Sequence, residues 1–157
     1  SLAPVFFSAA GRDASFTGRV PLWQGLLEIG GRSPLIGYGF ASFWLDGNRV
    51  EEIWNRVNWT PTTAHNGFID IFLDLGIVGL VLLFLLLVQT YRSIIRSYES
   101  APGLSRLKVV LFTMAFFHNF TESSFGKPFS PIWLLFLLAS IAILRTSPKD
   151  AERSPLP

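Results

Sequence analysis

His65 and Asn66 stand side by side at the mouth of a long apolar run, TPTTAHNGFIDIFLDLGIVGLVLLFLLLV, residues 60–88. An imidazole in water changes its protonation near pH 6.5, about the value a general base needs to strip a hydroxyl at neutrality. Asn66 has two compatible readings. It can orient the imidazole or a substrate hydroxyl, or it can cap the helix that starts near Phe68, with Asp70 in the first turn complementing the dipole. Five arginines precede the histidine: Arg12, Arg19, Arg32, Arg49 and Arg56. The planar guanidinium fork matches phosphate oxygens two at a time, so an arginine here suits a diphosphate. Against that stands ordinary surface pairing with Asp13, Glu51 or Glu52. Arg19 is set apart by its place in TGRVPLW, immediately before an amphipathic stretch that carries Trp23.

Asp70 and Asp74 are four apart and share a helix face at the entry of the apolar run. Asp70 is expected at the membrane interface and Asp74 deeper, where an ionisable group raises a functional question. Glu122, beside His118 and Asn119, either lines the same site or seals a turn. Together Asn66, Arg12, Asp70, Trp23 and Glu122 are the candidate substrate contacts, with His65 and Arg19 as the candidate catalytic pair. His65, His118, Asp70 and Glu122 are of metal-ligating type, but their spacing matches no metal motif, and no metal or cofactor is expected. No phosphate-binding loop, dinucleotide fingerprint or Gly-x-Ser-x-Gly elbow is present. The sequons at Asn58 and Asn119 read as chance matches.

The elements that must position these residues follow from composition. Half of the 157 residues are apolar, 15% are charged and fifteen are phenylalanine, which points to a membrane protein. There is no cysteine, so disulfides and thiolate sites are excluded. The net charge of +2, spread through loops, leaves no nucleic-acid footprint. The expected fold is all-α, a polytopic helical membrane protein fragment with a periplasmic loop carrying short amphipathic helices. Residues 1–67 read as the end of a preceding span (2–10) plus that loop. Leu22, Trp23, Leu26, Leu27 and Ile29 have helical spacing, Gly30 and Gly31 punctuate its end, and LIGYGFASFW reads as a tight turn. Trp44, Trp54 and Trp59 are expected at headgroup level.

Residues 68–91 form the clearest transmembrane helix, its apolar core at 68–88 matching a hydrocarbon thickness of about 30 Å. Gly76 and Gly79 on it suit close helix approach. A basic cytoplasmic loop follows at 92–108, then a transmembrane hairpin at 109–146 with a polar outer turn, then a disordered tail at 147–157. The hairpin's two apolar segments are short, so a re-entrant pair is the alternative to two spans. Basic residues after Val88 and after Leu144 favour two spans and set those ends in the cytoplasm, with His65 and the polar turn outside.

On these residues the chain resembles a known superfamily. GRVPLWQGLLEIGGRSPLIGYGFASFW, an interval, and TTAHNGFIDIFLDLGIVGLVLL are similar to the O-antigen ligase and Wzy-type polymerase superfamily. The nearest likeness is to its exopolysaccharide-production (ExoQ-like) branch. The likeness rests on Gly-Arg-x-x-x-Trp, Pro-Leu-x-Gly-x-Gly and Ala-His-Asn-Gly, with a weaker echo in FHNFTESSFGKPFSPIWLL. It implies a multi-pass enzyme of the bacterial inner membrane, active at the periplasmic face. Such an enzyme transfers a glycan from an undecaprenyl-diphosphate carrier to a hydroxyl acceptor, with inversion and without a metal. The family's loop arginine falls on Arg19 and its loop histidine on His65. A further family arginine has no matching position, and Arg12 fits no motif. The implied partners are the carrier-linked glycan, the bilayer, a flippase and a chain-length regulator. Polymerisation is the expected reaction. A lipid-acceptor ligase, an export or flippase subunit and a non-catalytic scaffold are the rivals.

Overall fold

The computed structural model describes residues 18–57, 59–99 and 101–141. The expected end of a preceding span at 2–10, Arg12 and the tail at 147–157 lie outside them. The described residues are all helical or loop: α1 (Arg19–Gly30), a 3-10 turn (Phe43–Leu45), α2 (Gly47–Trp54), α3 (Gly67–Ser97), α4 (Pro102–His118) and α5 (Pro131–Ser140).

The first core is built by the residues before α3. Leu22, Leu26 and Ile29 of α1 are fully buried against Phe43, Ile53 of α2 and Leu73 of α3. Each fully buried aliphatic chain contributes about 1.5–3 kcal/mol, enough to dock a helix too short to be stable alone. Asp46 starts α2 by accepting the N–H groups of Asn48 and Arg49. The aromatic turn after Gly37 is close-packed as expected, with Tyr38 and Phe43 rings 5.6 Å apart.

Helix α3 is not one continuous rod. Gly76 has φ 65° and ψ −157°, which breaks the ladder inside a 31-residue helix. The loop at 34–39 is spliced into the gap. Ile77 and Val78 donate to the carbonyls of Pro34 and Leu35, while Tyr38 and Gly39 donate to the carbonyls of Leu73 and Asp74. The rungs from Ile77 to Leu73 and from Val78 to Asp74 are thus replaced by four bonds to the loop, which satisfy those four backbone groups. Pro-Leu-x-Gly-x-Gly is the sequence of that splice. A side chain at Gly37 would lie 2.5 Å from the Asp74 carbonyl carbon, and one at Gly76 would overlap the Leu35 carbonyl. The glycine at 76 therefore serves close approach by a loop, not by another helix.

The break divides α3 by environment. Before it, Asp70, Ile71 and Leu73 are buried. After it, Ile77, Val78, Val81, Leu82, Phe84, Leu85, Val88, Tyr91 and Ile95 are exposed. An apolar face of that size is a liability in water and natural in lipid. Of the described helices, α3 is long and apolar enough to cross a membrane. The expected basic loop at 92–108 is instead mostly helix, since α3 runs to Ser97 and α4 starts at Pro102. Proline at the first helical position explains that restart. Helix α4 packs back along α3, with α5 against both. Leu83, Leu87, Ala115, Phe125 and Phe136 form this second core. Lys108 is buried and donates to the Ile141 carbonyl.

Candidate active site

Four residues, Ala64-His65-Asn66-Gly67, join the two cores, held at Ala64 by Trp23 and Asp70 and at the other three by the turn at 119–123. The Ala64 N–H donates to Asp70 Oδ1 (3.1 Å), and its carbonyl accepts from Trp23 Nε1 (2.8 Å). The Asn66 N–H donates to Ser123 Oγ, and the Gly67 N–H to the Asn119 carbonyl (2.9 Å). Asn66 also caps α3, its side chain accepting from the N–H groups of Phe68 and Ile69. Gly67 is obligatory because a Cβ there would overlap the Asn119 amide. Between these anchors His65 takes φ 48°, a left-handed conformation uncommon outside glycine. Such strain persists only where the surroundings over-determine it.

Asn119 organises the opposite wall. It is fully buried, donates to the Ala115 carbonyl, and accepts from the N–H groups of Ser124 (2.8 Å) and Phe125 (2.9 Å). The turn it ties down carries Glu122, whose N–H donates to the His118 carbonyl.

Glu122 is the meeting point. Its Oε2 lies 3.1 Å from His65 Nδ1, and its Oε1 lies 3.5 Å from Arg19 Nη2. Arg19 opens α1, and Trp23, one turn on, is bonded to Ala64. The same helix face therefore sets the guanidinium and steadies the residue before the imidazole. A carboxylate only accepts, so Nδ1 carries the proton and the Nε2 lone pair is left to take another. Trp59 lies against the imidazole, ring centroids 5.7 Å apart. The arrangement brings an imidazole, a carboxylate and a guanidinium together on one face.

The other candidates are distributed differently. Asp70 is only 5% exposed, and its Oδ1 is occupied by Trp44 Nε1 and the Ala64 N–H. Trp44 thus points its N–H at a buried carboxylate, and Trp54 points its N–H at the Pro61 carbonyl. Asp74 accepts from the Ala41 N–H, beside the helix break. His118 faces Ser124 Oγ. Three of the arginines pair within the loop domain. Arg32 binds Glu52, Arg56 binds Glu28 and Glu52, and Arg49 binds Asp46 beneath the Tyr38 ring. The Arg56 guanidinium holds the Glu28 carboxyl below its usual range, Arg32 does the same to Glu52, and Arg49 to Asp46. Among the described residues no three histidine or carboxylate side chains group as metal ligands do. Ser123 is the part of the site that sequence reading passes over, and Asn119 is read there only as a neighbour of Glu122. Asn119 directly after His118, at the end of an apolar helix, is the one available signal.

A family model described as O-Antigen ligase matches residues 2–84, more than half of the chain. The chain is 33% identical over 91 residues to "Exopolysaccharide production protein ExoQ" of Rhizobium meliloti (strain 1021), covering 55% of this chain and 21% of that protein. It is 37% identical over 87 residues to "Putative polysaccharide ligase" of Rickettsia felis, covering 53% and 21%. The chain thus spans about a fifth of the length of these curated relatives. No solved structure matches it.

Proposed function

Because the chain belongs to the O-antigen ligase family, we propose that it carries the catalytic loop of a membrane glycosyltransferase acting on polyprenyl-diphosphate-linked glycan. The observation that carries the proposal is the shared carboxylate, Glu122 touching both His65 and Arg19. In the reaction an acceptor hydroxyl attacks the anomeric carbon of the donor from the face opposite the diphosphate. His65 Nε2 takes the hydroxyl proton as the new C–O bond forms. Glu122 holds the Nδ1 proton and stabilises the imidazolium that results, as the carboxylate does in a hydrolase triad. The bond to the diphosphate breaks with inversion, and Arg19 neutralises the charge that develops on it. Asn66 and Trp23 act through the backbone that holds His65, not on substrate.

The apolar exterior of α3 after Gly76 suits a hydrocarbon environment, with the site at one end and the exposed Arg92, Arg96 and Arg106 at the other. By the positive-inside rule the basic end is cytoplasmic, so the site faces the periplasm of the inner membrane. A multi-pass arrangement is part of this reading, with α3 as the span and the shorter α4 and α5 packed back against it. We read the reaction as polymerisation of repeat units, with ligation to a lipid acceptor as the alternative; the Rhizobium relative is named for exopolysaccharide production and the Rickettsia relative for polysaccharide ligation. A flippase and a chain-length regulator are the expected neighbours. The test is reconstitution of the full-length gene product with purified carrier-linked repeat units, following chain length on a gel. Ladder growth that His65→Ala abolishes supports the proposal; accumulation of the carrier-linked unit on the cytoplasmic leaflet instead indicates transport.

A further inference from the structure

We propose that a cavity on the far side of the Ala64 backbone from His65 is a subsite for one neutral sugar ring of the transferred glycan, an inference that rests on the glycan-transfer reading above. The cavity measures about 150 Å³ and is lined by Phe40, Trp44, Asp70, Asp74, Phe125 and Lys127 among others. Two carboxylate oxygens in it are buried without a hydrogen-bond partner, Asp70 Oδ2 and Asp74 Oδ1. Asp70 is 5% exposed, and its Oδ2 has almost no solvent-accessible area. Its nearest cation is Lys127 Nζ at 3.4 Å, an ion pair that leaves this oxygen without a hydrogen bond. Buried acceptors left in this state call for a donor from a ligand or ordered water.

Charge selects the ligand class. A free anion is opposed by two carboxylates, and a metal ion is opposed by the ammonium and offered too few ligands. A neutral polyol meets neither obstacle. A pyranose presents hydroxyl donors around its rim and apolar C–H faces above and below. The cavity presents acceptors on one helix face, a donor in Lys127, and the aromatic walls Phe40, Trp44 and Phe125. A few polar groups fixed in an otherwise apolar pocket are what give orientation to a small ligand. Position supports the assignment too. The other oxygen of Asp70 accepts from the Ala64 N–H, so one backbone segment separates this cavity from His65.

The test uses the full-length gene product in phospholipid nanodiscs. The probe is the repeat-unit oligosaccharide released from its carrier by mild acid, observed by saturation-transfer NMR, alongside KM and kcat for the intact donor. Asp74→Asn turns one unpartnered acceptor into a donor, and Lys127→Met removes the ammonium from a half-exposed side chain. The expected result is about tenfold weaker oligosaccharide binding and a KM raised about tenfold in each, with kcat within about twofold. Melting temperature confirms that each variant is folded; Lys127→Met carries the test alone if Asp74→Asn does not fold. Wild-type binding and KM in folded variants overturn the inference, because the cavity then holds only water. If His65→Ala leaves polymer formation intact while Lys127→Met still weakens oligosaccharide binding, the catalytic reading fails and the subsite stands.

Discussion

Glu122 reaches His65 across 57 residues of sequence, its Oε2 3.1 Å from Nδ1, and the same carboxylate lies 3.5 Å from Arg19. Removing the charge while keeping the shape isolates its electrostatic part. Glu122→Gln is expected to lower kcat by about 10²-fold with a near-normal KM, because the carboxylate acts on the imidazolium formed in the transition state. Steady-state kinetics on carrier-linked donor decide this. A raised KM at full kcat would instead make Glu122 a simple binding residue.

The backbone around His65 is expected to be intolerant of added volume. Gly67→Ala forces a methyl group into the Asn119 amide, and Asn119→Ala leaves the N–H groups of Ser124 and Phe125 without their acceptor. Each is expected to destabilise the fold by about 2–4 kcal/mol and to abolish turnover as Glu122 leaves the imidazole. Thermal unfolding in nanodiscs measures the first effect. A fully active Gly67→Ala enzyme would show that the anchor does not matter.

The break in α3 makes a second stability prediction. Gly76→Ala combines a positive φ with overlap on the Leu35 carbonyl, so several kcal/mol of destabilisation are expected. Ala at Gly103, where a side chain meets open space, is the matched control and is expected to be neutral or slightly stabilising. Equal melting temperatures for the two variants would argue that the helix is continuous in the membrane.

These residues also show what is legible in a sequence. Local chemistry is: Arg19 and His65 stand in motifs, Asn66 before a helix predicts its cap, and α1 follows from its apolar spacing and its glycines. Pairings set by tertiary contact are not. Nothing local says that Glu122 returns to His65 or that Ser123 meets Asn66. Asp70 reads as an acid at the mouth of a span, yet it is buried, because Ala64 and Trp44 supply donors from segments that only the fold brings near. The long apolar run hides its own interruption, since Gly76 breaks α3 only because a distant loop offers replacement bonds. Helix α2 goes unread although Asp46 and the apolar positions Val50 and Ile53 mark it, because eight residues are too few for a periodic signal.

The loop domain is expected to loosen in acid. Folded-state carboxyl values of Glu28 and Glu52 lie below their ordinary ones, because Arg56 and Arg32 favour the charged forms. The folded state then binds fewer protons than the unfolded state. The ion pairs therefore stabilise fully above the ordinary carboxyl range near 4.3 and lose that contribution as pH falls through the folded values. Glu52→Gln should raise the pH at which α1 and α2 become open to protease, and salt should weaken the wild-type advantage. An acid midpoint that does not move with Glu52→Gln would contradict the role given to these pairs.

The most direct measurement is single-turnover glycan transfer by the reconstituted full-length protein, comparing wild type, His65→Ala and Arg19→Lys. Both variants are expected to bind carrier-linked donor and to transfer at least about 10²-fold more slowly, the first for want of a base and the second because an ammonium lacks the bidentate fork. Transfer at the wild-type rate by either variant would contradict the account.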